Sequence, residues 1–90
     1  MLLPEKKLQL RRQVHALKPV VIIGQNGLTA ATHKAIDEAL DCHELIKIRI
    51  NAADQTERNI FIEEILRKHG AEKIKTVGHI LAIYRKKPEV

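Results

Sequence analysis

The chain predicts an α/β fold, two layers in the order α-β-α-β-α-β-β built on a four-stranded mixed sheet. Three observations carry that reading. Val20–Ile23, Leu45–Ile50, Lys73–Val77 and Ile80–Arg85 are apolar β-branched or alternating runs with strand character. Helix-period patterns with start and stop signals precede each of the first three. The last two runs meet tightly around Gly78-His79, so the final strand reverses direction. Two right-handed crossovers then set the second and third helices on one face of the sheet and leave much of the other face to solvent.

Residues 4–18 read as the first helix. Pro4 sits at its first position, where a missing N–H costs nothing, and Pro19 stands just past its end. Leu3, Leu10, Val14 and Leu17 share one arc of the wheel, with Lys7, Arg11 and Lys18 as a cationic stripe beside it. Val20-Val21-Ile22-Ile23 is apolar throughout, the pattern of a strand buried on both faces or lying inside a sheet. After Gly24-Gln25-Asn26-Gly27 a second helix begins with Thr29 as N-cap, and Leu28, Ala35, Ile36, Ala39, Leu40 and Cys42 fall on one side of it. From Ile46 to Ile50 aliphatic residues alternate with Lys47 and Arg49, which puts the cations on the face away from the core. Asp54 and Glu57 have capping-box spacing for a third helix over about 55–69. Phe61, Ile62, Ile65 and Leu66 line its apolar face, Gly70 ends it, and Glu63/Arg67 and Glu64/Lys68 are supporting i,i+4 pairs. Pro88 closes the ordered pattern.

Ninety residues, 44% hydrophobic and 30% charged, fit a single folded domain, 1–90, with an ordered core over about 4–86. The longest aliphatic runs are four residues, against about twenty for a membrane span, and no signal-peptide pattern opens the chain, so a cytoplasmic protein with no membrane partner is expected. The lone Cys42 excludes an internal disulfide and a CxxC zinc half-site. Sixteen Lys and Arg against eleven Asp and Glu leave a net charge of +5, which favours an anionic partner. The excess is uneven, with five cations to one acid in residues 1–27, three to five in 28–54 and eight to five in 55–90.

Candidate catalytic groups read as structural. Asp37, Glu38 and Asp41 fall opposite the apolar arc of the second helix and form a solvated face, while Cys42 falls within that arc as a buried thiol. The histidines at 15, 33, 43, 69 and 79 show no HxxxH or HxH spacing, and His69 is a packing residue at a helix C-terminus. No catalytic residue, metal, cofactor or small-molecule substrate is expected.

Gly24-Gln25-Asn26-Gly27 is a GxxG loop between a strand and the start of a helix. Glycines let the backbone turn sharply and let a phosphate approach closely, while a helix start offers unpaired N–H groups and partial positive charge. A loop of this kind clamps nucleotide backbones in KH domains. Gln25 and Asn26 bring no cation, so attraction falls to Lys7, Arg11, Lys18 and Lys34. The only aromatic residues, Phe61 and Tyr84, both read as packed, so the chain is suited to RNA shape and backbone more than to single bases. Residue patterns alone leave duplex DNA or a protein partner open as alternatives.

Further blocks accompany the loop: Lys18-Pro19-Val20-Val21 before it, Leu28-Thr29 after it, His43-Glu44-Leu45-Ile46-Lys47, and Val77-Gly78 with Leu81 to Arg85. With these the chain resembles, over about residues 4–86, the CRM family (chloroplast RNA splicing and ribosome maturation), whose stand-alone bacterial members are termed YhbY-like. The resemblance implies a fold similar to the C-terminal domain of translation initiation factor three, and no catalysis. It implies an RNA-binding domain that associates with ribosomal RNA in precursors of the large ribosomal subunit, with Gly24, Gln25, Asn26 and Gly27 as the contacting loop and Leu28 and Thr29 following. The alternative is a ribosome-associated protein-interaction module or a general DNA binder. On this reading Gly27→Asp weakens RNA binding with little unfolding, and reversing Lys7 and Arg11 to Glu lowers affinity for all sequences alike.

Overall fold

The computed structural model describes residues 3–24 and 26–87. Helix α1 (Pro4–Val14) leads into β1 (Pro19–Ile23), α2 (Ala30–His43), β2 (Leu45–Ile50), α3 (Gln55–His69), β3 (Glu72–Val77) and β4 (Ile80–Tyr84). The strands lie in the order β1-β2-β4-β3, with β1 parallel to β2 and the other pairs antiparallel. This is the α/β mixed-sheet architecture that the pattern predicts. No helix among the described residues is long and apolar enough to cross a membrane.

Period-two alternation sends one side of each strand to the main core. Val21, Ile23, Ile46, Ile48, Ile50, Leu81 and Ile83 meet Ile36 and Leu40 of α2 and Ile62 and Ile65 of α3 there. On the opposite face Leu10 and Val14 of α1 cover Leu45, Ile74, Ala82 and Tyr84. Lys6 Nζ lies 5.7 Å over the Tyr84 ring, at the C-terminal end of β4, so α1 shields that end of the face and leaves the other end open.

Four local expectations need correction. The first helix stops at Val14 rather than 18. Lys18 precedes a proline, whose ring bars the helical conformation there, and the chain turns instead through Ala16 N–H to Gln13 O and Leu17 N–H to Val14 O. β1 is an edge strand, with Val20 50% and Ile22 60% exposed; an edge is also where Pro19 costs the sheet no hydrogen bond. Cys42 is exposed rather than buried, because it stands at the margin of the apolar arc, about 120° round the wheel from Ile36, in the last turn of α2. Glu64 reaches His33 Nε2 at 3.1 Å on α2, a tertiary partner in place of the expected Lys68.

That last contact opens a polar chain which adds partners to Asp37 and Asp41, both of which stay exposed as expected of a solvated face. His33 Nδ1 lies 2.9 Å from His69 Nε2. The His69 ring, 1% exposed, donates through Nδ1 to Asp37 Oδ1 at 2.6 Å. Arg85 Nη1 donates to Asp37 Oδ1 at 3.0 Å and to the His69 carbonyl at 2.9 Å, and its Nη2 donates to Asp41 Oδ1 at 3.1 Å. The carboxylates are thus joined to a buried imidazole and a guanidinium that arrive from α3 and from the residue after β4. His69 is a hydrogen-bonded hub as well as a packing residue. The bond from His69 outweighs the opposing effect of burial and, with a lesser contribution from Arg85, holds the Asp37 carboxyl below its ordinary value of 3.8.

Candidate nucleic-acid interface

The GxxG loop leaves β1 at the C-terminal end of a parallel pair. Asn51 N–H donates to Ile23 O at 2.9 Å and Ile50 N–H to His79 O at 2.7 Å, which gathers the loop, the end of β2 and the β3–β4 turn on one rim of the sheet. Gly27 N–H donates to Gly24 O at 3.0 Å, closing a four-residue turn. Gly27 has φ +66°, and a Cβ there would lie 3.3 Å from the Phe61 ring, so this glycine is required both by its dihedral and by its seat on α3. Gly24 is exposed, and a Cβ added to it would meet nothing within 4 Å. Gln25 lies outside the described residues.

Thr29 caps α2 reciprocally. Its Oγ1 accepts from Thr32 N–H at 3.2 Å, and its own N–H donates to Thr32 Oγ1 at 2.7 Å. The run of free amides around the loop is therefore short, since the turn uses that of Gly27 and the cap that of Thr29. The amides of Asn26, Leu28, Ala30 and Ala31 have no hydrogen-bond partner among the described residues. Together with the positive end of the α2 dipole they form an anion-receptive edge. Thr29→Ala is expected to cost about 1 kcal/mol of stability, measurable as a lowered urea midpoint.

Of the four cations expected beside the loop, Lys34 stands near it and Lys7, Arg11 and Lys18 do not. Lys18 stands at the far end of β1, about 20 Å from Gly24 at the usual strand rise. Arg11 Nε donates to Ile74 O at 3.2 Å, on the opposite edge strand β3, and Lys7 lies one turn before it on α1, toward the Tyr84 end of the sheet. The expectation that these three flank the loop is not met. Lys34 stays close, one turn into α2, exposed and 4.0 Å from Glu38. The rim instead carries Arg49, whose Nε donates to Asn51 Oδ1 at 3.3 Å, and Arg58, which donates to Gln55 Oε1 at 2.8 Å and to His79 Nδ1 at 3.3 Å. The Nε of Arg58 is buried and has no hydrogen-bond partner among the described residues. The signal for Arg49 was in the sequence, because parallel pairing brings the end of Leu45–Ile50 beside the end of Val20–Ile23. Arg58 carried none, since its place beside the hairpin turn is set by tertiary packing.

Among the described residues no group of three or more His, Cys, Asp or Glu is disposed to hold a metal ion.

The family model described as the CRS1 / YhbY (CRM) domain matches residues 2–85. A Haemophilus influenzae protein named RNA-binding protein is 40% identical over 85 residues, which cover 94% of this chain and 86% of that one. A Pseudomonas aeruginosa protein named probable RNA-binding protein is 33% identical over 85 residues, 94% and 82% of the respective chains. The solution structure of a hypothetical protein from Staphylococcus aureus superimposes with a TM-score of 0.83 at 28% identity, covering 99% of this chain and 93% of that one. By its sequence over nearly its whole length, and by a fold shared with that solved structure, the chain belongs to the CRS1/YhbY (CRM) domain family.

Proposed function

We propose that this protein binds structured RNA, with ribosomal RNA in precursors of the large ribosomal subunit as its target. The observation that carries the reading is the rim itself, where an open Gly24 and amides at the start of α2 without a partner among the described residues lie on the same end of the sheet as Arg49 and Arg58. That edge suits a phosphate backbone, which is negatively charged and needs close approach of main-chain donors. The names of the relatives support RNA as the ligand, and the family resemblance supports the ribosomal target.

Affinity for a structured RNA is expected to fall steeply with salt. If Lys34, Arg49 and Arg58 each neutralise one phosphate, a plot of log affinity against log salt slopes by about −2 to −3. Fluorescence anisotropy between 50 and 300 mM KCl measures it, with duplex DNA as competitor. A slope near zero, or equal competition by DNA, would count against the proposal. Co-sedimentation with large-subunit precursors that survives nuclease treatment would point to a protein contact instead of ribosomal RNA.

A further inference from the structure

The sheet face that α1 leaves open has a composition that folding does not explain. Register across the four strands aligns Ile22 with Arg49, Arg49 with Ile80, and Ile80 with Val77. The next row places Lys47 beside Ala82 and Ala82 beside Lys75. Ile22 is 60% and Val77 57% exposed, so Ile22, Ile80 and Val77 make an aliphatic strip, broken by Arg49, that solubility alone would not favour. Three cations interleave it, and none of the strand positions in these two rows is acidic. Lys47 Nζ donates to Leu17 O at 3.0 Å, which pins the end of the α1 connection beside the strip. The hollow between the end of α1 and these strands holds about 230 Å³, below the roughly 300–1,000 Å³ that encloses a drug-sized ligand. It is a surface to lie on, not a pocket to enter.

We infer that this face carries an unpaired stretch of the bound RNA, with bases laid on Ile22, Ile80 and Val77 and phosphates held by Arg49, Lys47 and Lys75. The inference rests on the RNA reading of the neighbouring rim, with which the face is continuous at Ile22 and Arg49. An unpaired strand presents flat apolar rings and an anionic thread together, and the alternation of aliphatic and cationic side chains complements both. The Arg49 guanidinium can also stack on a base. A second copy of the chain is a poorer occupant, because a two-fold contact through this patch would bring Arg49, Lys47 and Lys75 against their own equivalents with no carboxylate between them. With no aromatic platform on the strip, the contact discriminates little among bases.

The test is a methyl NMR titration of the full chain, labelled at isoleucine δ1, with a uridine octanucleotide and separately with an RNA hairpin lacking unpaired flanks. The oligonucleotide is expected to shift the Ile22 and Ile80 methyls, and Ile22→Asp with Lys75→Glu, which spares the rim cations, is expected to weaken it about tenfold or more while hairpin affinity changes by less than threefold. Ile22 is exposed and Lys75 partly so, and the wild-type titration needs no variant to fold. If the hairpin binds but the octanucleotide leaves Ile22 and Ile80 unmoved, this inference falls and the rim reading stands. If neither RNA binds, both fall together. Methyl shifts that follow protein dilution and ignore RNA would assign the face to self-association and overturn the inference.

Discussion

Gly24→Asp is expected to lower RNA affinity by about tenfold or more at low salt while leaving the melting temperature within a few degrees of wild type. The side chain enters open space at a residue without positive φ, so the fold has no steric reason to object. What changes, on the proposed reading, is the charge where the open backbone of Gly24 lets a phosphate approach, on the same rim as the amides that open α2. Anisotropy with the same RNA, run beside a thermal melt, separates the two effects. Gly24→Ala is the companion variant; it adds bulk without charge and should lose less. Unchanged affinity in Gly24→Asp would reduce the loop to a turn. Gly27→Asp, the variant the sequence nominated, is the poorer probe and the expectation of little unfolding is corrected. At φ +66° a side chain costs about 1–2 kcal/mol, and its Cβ would press on Phe61 at 3.3 Å.

Asp37→Ala should give the larger loss of stability, about 1–3 kcal/mol at pH 7. The removed carboxylate accepts from the buried His69 Nδ1 and from Arg85; Arg85 keeps Asp41 and the His69 carbonyl, whereas the imidazole N–H loses its acceptor. The same group predicts an acid limb. Because folding holds its proton affinity below the ordinary 3.8, its contribution is complete above that pH and is lost as pH falls through the lower, folded value. Urea midpoints at pH 5 and pH 3 should therefore differ less in Asp37→Ala than in wild type. An identical pH dependence in the two proteins would show that the carboxylate is not coupled to folding.

Legibility in the sequence followed the range of the interactions. Pro4, Thr29, Asp54 and Gly70 act within a turn of themselves, and the helix starts and the end of α3 fall where those residues place them. The period-two run of β2 likewise shows its core side, because burial on a sheet follows the backbone. What the sequence could not show was set by partners far along the chain. An all-apolar run says strand but not edge or centre, and β1 became an edge only through the strand order. Asp37 looked solvated on its own helix, and it is claimed by His69 and Arg85, 32 and 48 residues away. For the same reason the loop was legible and its cations were not. GxxG is local, whereas Arg58 reaches the rim through α3 and His79.

Phe61 sits under Gly27 from a helix that begins 28 residues later, so the backbone at Gly27 is seated when α3 docks. On the proposed RNA-binding reading, a glycine held in this way has less freedom to surrender on association, and complex formation would carry a smaller entropic penalty. Trimming the ring, as in Phe61→Ala, would loosen that seat and is expected to slow RNA capture although Phe61 packs against the core.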